Sequence, residues 1–504
     1  MLDRQFPLAE KNTERVIVIG GSIAGLLAAR VLSGYYNEVL IIDRDDFPDK
    51  PENRSGTPQA FQPHRLTPRG ILILGRFFPG YNEELLAHGA PSALNKLNHM
   101  INSYGSMVMA NQENEATFSR ALLEWVLRKL VQAIPNVRFL CKKEVIRLLS
   151  STDRSTITGI QVQDRGTAER LQQTITANLV IDTSGRSSKV VRWLTELGYD
   201  VPKPEMLKVS LGYSTRHYRI PPHLAAKWNV IHLAGDPVKE TNAGVFSIIE
   251  NNRAEIVLWN IGGRYPSTNP EQYEREISQL ASPLFAEVRQ ELEPIAAPRG
   301  YRLPELFRQR FEQMKRWPSG LLVMGDAFCN FDPIYGQGIT VAAIEAEILE
   351  ASLRDQHNNP EPDFELSVLK KMQDSIEPAW WLNCVSDLRW PGVEYVGSEP
   401  FKGLKFAQNY FEYILKSATE QSNYELYGLY WLVNSLFLHP RELFNPQMVT
   451  ALFGESDSSD GKRLLDELTK GSDKPLEELL DQFIPSFERA SFSSMKDLMQ
   501  QPET

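Results

Sequence analysis

Gly20, Gly21 and Gly25, with Ser22 and Ala24 between them, separate the apolar run Val16-Ile-Val-Ile19 from a second apolar stretch that ends near Leu32. Strand, glycine turn, helix is the setting in which backbone can hold a pyrophosphate. Gly20 lets the chain turn tightly, and Gly25 lets helix and strand pack closely. Free N–H groups at the helix start face the phosphates. Ser22 stands where the G-x-G-x-x-G pattern has its second glycine, and its hydroxyl suits a phosphate. Asp43, with Arg44 beside it, closes the next apolar run, Val39-Leu-Ile-Ile42. That is about 20 residues downstream, where a carboxylate reaches a ribose hydroxyl.

Three further stretches carry suitable groups. Asp182-Thr-Ser-Gly-Arg-Ser-Ser188 follows the run Leu179-Val-Ile181 and offers one carboxylate and several donors, although alone it reads as an ordinary loop. Gly325-Asp326 leads into Pro333, Gly336 and Gly338. Asp326 suits a ribityl or ribose hydroxyl, and Pro333 fixes a turn. Gly336 and Gly338 admit a planar ligand close to the backbone. The helix that then begins points its positive end at that ligand, an arrangement that would stabilise an anionic reduced flavin. Arg120 sits in the first turn of a helix, where the dipole does not favour a cation. A cofactor phosphate is one candidate partner, and solvent is the plain alternative.

These groups need elements to hold them. Residues 15–46 read as a βαβ unit. Phe47 to Arg65 is a long proline-rich loop. A helix is expected over about 68–77, and a second over about 119–130, with Ser119 as its cap. Strands are expected at 137–141 and 179–182, with a small antiparallel excursion (144–149, 159–164, 172–176) between them. From about Met206 the pattern becomes β-rich and partly alternating: 208–218, 230–233, 243–250 and 254–261, with Asn251-Asn252 as a hairpin turn. Helices follow at 270–279 and 282–292, then a strand near 320 and a long helix from Gly338. The remainder is largely helical, broken by the acidic, serine-rich 455–460. The expected class is α/β with an α+β second layer. A Rossmann-like nucleotide domain (15–205 and 311–360) holds an inserted, mostly antiparallel sheet (206–310), and a helical region follows (361–504).

Composition narrows the function. Hydrophobic residues are 42% and charged residues 23%, an ordinary globular balance. A net charge of -10 argues against nucleic acid or an anionic membrane as main partner. Cys141, Cys329 and Cys384 are scattered without a C-x-x-C pair, so no metal site is expected. No signal-peptide pattern or apolar run of about 18 residues occurs, and the cytoplasm is the expected location. Tyr424 to Leu438 is apolar and aromatic but interrupted by Glu425 and Asn434. It reads as a cover for a pocket, with a peripheral membrane contact as the minority alternative.

The order of these motifs resembles the FAD-dependent monooxygenases of the para-hydroxybenzoate hydroxylase type and their relatives, the squalene epoxidases. Gly20 to Gly25 resembles their first fingerprint. Asp182 to Ser188 falls where their D-G motif lies; if Gly185 is that glycine, Ser184 replaces the usual aspartate. Gly325-Asp326 with Pro333 matches their G-D…P motif. Gly56-Thr-Pro-Gln59 with His64, Ser119-Arg-Ala-Leu-Leu-Glu-Trp125 and Phe331-Asp-Pro-Ile-Tyr-Gly-Gln-Gly338 look like the bacterial epoxidases of polyether biosynthesis.

The resemblance implies bound FAD, with NADPH or NADH as electron donor, directly or through a flavin reductase. It implies oxygen transfer from a flavin C4a-hydroperoxide to an alkene or aromatic ring of a small hydrophobic substrate, in secondary metabolism. It also implies that backbone near Val145 meets the adenine, and that His64 donates to a flavin carbonyl or stabilises the hydroperoxide. Tyr213, Phe246 and Trp259 become candidates for lining the substrate site, with core packing as the alternative. Three rivals stand beside it. A flavin-dependent halogenase would carry a W-x-W-x-I-P motif, which is absent, since Trp380-Trp381 has the wrong spacing. A geranylgeranyl-type reductase would need no oxygen. A non-catalytic flavoprotein would not be expected to keep the Gly325 to Gly338 loop intact.

Overall fold

A computed structural model describes residues 12–166, 170–453 and 459–487. Most of the amino-terminal tail, and residues 455–458 of the acidic interruption, lie outside that range.

Continuous apolar runs become strands buried on both faces. Five of them form a parallel sheet in the order Leu321–Val323, Leu179–Asp182, Asn12–Ile19, Tyr36–Ile42, Val137–Leu140. Ile19 pairs with both Ile42 and Asp182, and Asp182 pairs with Val323. The register therefore sets the carboxyl ends of these strands side by side. Gly20, Asp43, Thr183 and Gly325 all emerge along one edge, the place where open α/β sheets take ligands. Helices Ile23–Leu32 and Gly338–Asn358 pack against each other beside this sheet. The antiparallel excursion forms its own three-stranded sheet, Lys143–Ser150, Ile157–Asp164 and Gln172–Thr176.

The second sheet has eight strands. Leu211–Arg219, Arg253–Asn260, Ala243–Ile249 and Trp228–Leu233, adjacent in that order, run antiparallel to one another. Asn251 and Asn252 take φ of 63° and 53°, the left-handed pair a two-residue hairpin turn requires. The sheet is not confined to 206–310. A hairpin, Leu97–Asn102 and Gly105–Ala110, joins it by a parallel pairing of Leu97–Asn102 with Trp228–Leu233. Nothing in the sequence assigned that hairpin. Its role is to cover an edge strand that would otherwise present unpaired backbone.

The described residues from Phe364 onward pack on both layers. Helices Phe364–Asp387, Leu404–Glu420 and Tyr424–Asn434 pack through an aromatic cluster in which Trp381 meets Phe411 and Phe444. Glu394–Val396 adds an edge strand to Glu205–Lys208, which also pairs with Leu306–Arg308. Among the described residues no helix is long and apolar enough to cross a membrane.

Candidate cofactor and substrate site

Gly20 has φ +104°, and a Cβ there would lie 2.7 Å from the carbonyl oxygen of Thr183. A Cβ on Gly25 would overlap the carbonyl oxygen of Gly20. Both positions are therefore closed to any side chain, as a tight turn with a close helix demands. The Gly21 N–H donates to Asp43 Oδ2 at 2.7 Å, and Asp45 N–H donates to Asp43 Oδ1 at 2.8 Å. Asp43 thus ties the glycine turn to the end of the second strand.

A cleft of about 660 Å³ runs along this edge. Its walls include Gly20, Ser22, Asp43, Arg44, Val145, Thr183, Ser184, Ser187 and Trp193. The structure thus gathers most of the first-motif residues and Val145 into one trough. Asp182 is the exception. Its carboxylate is fully buried and accepts from Ser184 N–H at 2.9 Å and Ser188 Oγ–H at 2.6 Å. The expectation that Asp182 contacts the cofactor is corrected: it braces its own turn, and Thr183, Ser184 and Ser187 face the cleft.

Ser22 and Arg120 do meet, but through a network the motifs did not reveal. Arg120 Nη2 donates to Ser22 Oγ at 2.8 Å, and Ser22 Oγ–H donates to Glu124 Oε2 at 2.9 Å. Glu124 lies one helical turn after Arg120 and also accepts from Arg54 Nε at 2.7 Å. Arg54 reaches on to Asp45 at 2.9 Å. The flanking guanidiniums hold the buried Glu124 carboxyl below the usual carboxylate range despite its desolvation. Arg120 Nη1 lies 3.0 Å from Glu124 Oε2 yet makes no aligned hydrogen bond. A buried cation with spare N–H groups beside a glycine turn fits a cofactor pyrophosphate. Arg54 and Glu124 were both visible in the sequence; only the i, i+4 spacing of Arg120 and Glu124 hinted at a pair.

At the next strand end, Gly325 takes φ +64°, and a Cβ there would sit 2.9 Å from Ala24 Cβ. Its N–H donates to Glu345 Oε2 at 2.6 Å. Glu345 is fully buried on helix Gly338–Asn358, and burial pushes its carboxyl up to about 8. Asp326, half-buried, accepts no hydrogen bond from the described residues; burial raises its carboxyl against the pull of Arg186 and Arg120. It is thus free to take hydroxyl donors from a ligand. Gly336 has φ +67°, and a Cβ on Gly338 would meet open space. Pro333 starts the short turn that leads into both. Below this loop Asp332 accepts from Tyr213 and Ile334, and Asp387 accepts from Tyr335; burial raises both carboxyls, and the charge of Asp332 raises Asp387 further. Burial pushes Asp332 up to about 7.

His64 lies within the electrostatic reach of Arg120 and Glu124. Its Nδ1 is 2.8 Å from the carbonyl oxygen of Gln62. Burial, aided by Arg120, lowers its pKa to about 4, so the ring is neutral at pH 7. A carbonyl only accepts, so Nδ1 carries the proton and Nε2 presents a lone pair. With the proton on Nδ1, Nε2 offers an acceptor, whereas donation to a flavin carbonyl would need the proton on Nε2.

A second cavity, about 1170 Å³ including its mouth, lies between the second sheet and the carboxyl-terminal helices. Ile334 and Tyr335 of the Pro333 turn form one wall, Trp259 and His232 of the sheet another, and Tyr430 and Trp431 a third. Trp259 lines this cavity. Tyr213 does not: it is buried beside Trp259 in the register, and its hydroxyl donates to Asp332 Oδ1 at 3.3 Å. Phe246 is also corrected. It pairs with Ile256, on the opposite sheet face from the Ala243–Trp259 pair, and packs in the core with Tyr273 and Phe285.

Comparison with known proteins agrees with this geometry. Residues 13–356 match the family described as FAD binding domain. The chain is 26% identical over 383 residues to the Mycobacterium tuberculosis protein Rv3254, covering 74% of this chain and 80% of that protein. The flavin-dependent brominase Bmp2 superposes with a TM-score of 0.59 at 14% identity, over 84% of this chain and 94% of its own. The p-nitrophenol 4-monooxygenase PnpA of Pseudomonas putida superposes at 0.56 with 14% identity, over 84% of this chain and 98% of its own. These solved structures share the fold. With its glycine turn, trough and Gly325 loop in this arrangement, the chain belongs to the FAD-binding-domain family.

Proposed function

We propose that the protein is an FAD-dependent monooxygenase that places one atom of dioxygen into an apolar organic substrate, by alkene epoxidation or ring hydroxylation. The observation that carries this reading is the large aromatic cavity that abuts Ile334 and Tyr335, at the start of the loop built to approach a planar ligand. Bound FAD supplies the activation of dioxygen, and the protein supplies binding, orientation and dryness. In this reading Gly20, Gly21, Ser22, Ala24 and Gly25 hold the pyrophosphate with Arg120, while Asp43, Arg44 and Val145 hold the adenosine end. Asp326 takes a ribityl hydroxyl. Pro333, Gly336 and Gly338 set backbone and a helix start against the ring. His64 accepts a proton-bearing group nearby through Nε2. Trp259, Tyr335 and Trp431 keep the reacting end of the substrate out of water.

NADPH or NADH provides the electrons, either directly or by way of a flavin reductase. The test is aerobic incubation of the FAD-loaded protein with NADPH, with and without a reductase, and a panel of alkenes and phenols. A mass gain of one oxygen is the expected product. A chlorine or bromine mass shift when halide is added would assign halogenation instead. Reduction of an alkene without oxygen uptake would assign a reductase.

A further inference from the structure

The polar groups that face the second cavity differ in whether the protein already uses them. Asn102 is closed: its Oδ1 accepts from Tyr104 N–H at 2.8 Å and its Nδ2 donates to Thr419 at 3.0 Å. Arg389 is paired with Glu412 at 2.9 Å. Gln408 and Asn434 each spend one amide N–H on a carbonyl, of Val385 and Tyr430, at 3.0 and 2.8 Å, and keep a second N–H and the amide oxygen. His232 is different. It lies on strand Trp228–Leu233, in register with Val245 and Met100, and its ring nitrogens have no partner among the described residues. His232 is half-buried on the cavity wall, so its unpartnered imidazole is open to a ligand that enters the cavity.

Resting on the monooxygenase reading, we infer that His232 recognises an uncharged hydroxyl on an otherwise extended apolar substrate. A hydroxyl both donates and accepts. It satisfies the imidazole in either tautomer and can donate to the Gln408 or Asn434 oxygen. A carboxylate finds no free positive charge, because the cation lining the cavity, Arg389, is already paired with Glu412. Burying an anion without a free cation is costly. Burial lowers the His232 pKa to about 4, so the ring brings no compensating charge at neutral pH. Trp259, Trp390 and Trp431 supply the apolar walls for the rest of the molecule.

The test measures binding without turnover, in the FAD-loaded protein with no reductant present, by equilibrium dialysis of three probes of one chain length: farnesol, farnesene and farnesoate. Farnesol is expected to bind about tenfold more tightly than farnesene, the size of one well-made hydrogen bond, and farnesoate more weakly than farnesol. His232→Phe keeps the apolar wall and is expected to bring farnesol down to farnesene. His232→Gln restores part of the difference. Retained flavin absorbance and melting temperature show that each variant is folded. Tighter binding of farnesoate, an unchanged preference in His232→Phe, or no binding of any probe overturns the inference. Farnesol binding without any oxygen transfer would overturn the proposed reaction and leave this recognition intact.

Discussion

A methyl group at position 25 would collide with the carbonyl of Gly20, in the turn between the first strand and its helix. Gly25→Ala must push the helix off the strand. We expect purified Gly25→Ala to lose most of its flavin, read as the loss of absorbance near the flavin maximum; full occupancy would show that the turn is not the anchor. Glu345 gives a prediction with a pH signature. Its carboxyl rises from 4.5 to about 8 on burial. A carboxyl raised in the folded state contributes stability below its unfolded value and loses it as pH climbs toward the folded one. Glu345→Gln cannot ionise and keeps an oxygen for the Gly325 N–H. Relative to the native protein its melting temperature is expected to gain steadily between pH 5 and 8, reaching a few degrees, and then level off. A difference that does not change with pH would refute the buried acid. Ser22→Gly removes a hydroxyl but leaves Arg120 and Glu124 in contact, so FAD affinity is expected to fall less than about tenfold. A greater loss would make the hydroxyl itself a phosphate ligand.

Helix Arg120–Gln132 does more than present an arginine, because Glu124 fastens it to the proline-rich loop through Arg54 and to the glycine turn through Ser22. Removing that carboxylate leaves Arg54, Arg120 and Arg128 crowded with one fewer partner. Breaking a buried ion pair typically costs about 3–5 kcal/mol. Glu124→Gln is therefore expected to lower the melting temperature of the flavin-free protein by several degrees, and FAD to restore part of it, since phosphate supplies the missing charge. An unchanged melting curve would show the network to be ornamental. Such elements also show what a sequence discloses. Strands Tyr36–Ile42 and Leu179–Asp182 and helix Pro68–Phe77 were legible because burial on both faces, or a 3.6-residue period, leaves a local mark. The hairpin 97–110 was not, because its pairing with Trp228–Leu233 joins residues far apart in sequence. Phe246 was misread for a related reason: which face of a strand meets a cavity depends on the register with its neighbours. Asp182 looked like Asp43 in sequence, yet the two carboxylates differ in what their own turns require of them.

The cavity is assembled from regions remote in sequence: the hairpin near Asn102, the second sheet, the Pro333 turn and helix Tyr424–Asn434. Gln337, between Gly336 and Gly338, donates to the Asn434 carbonyl at 2.7 Å and accepts from Asn383 at 2.6 Å. The carboxyl-terminal helices are thus tied to the loop that runs from Gly325 to Gly338. A chain truncated after Asn358 would expose the apolar side of helix Gly338–Asn358 that packs on Phe364–Asp387. It is expected to accumulate in the insoluble fraction; a soluble, yellow truncation would contradict this dependence.

The match to the FAD-binding-domain family stops at residue 356, before the helices that close the cavity. The cavity therefore joins walls inside that stretch, His232, Trp259 and Tyr335, to walls beyond it, Tyr430 and Trp431. Changes confined to 404–434 are expected to alter what the cavity admits while leaving every residue of the glycine turn in place.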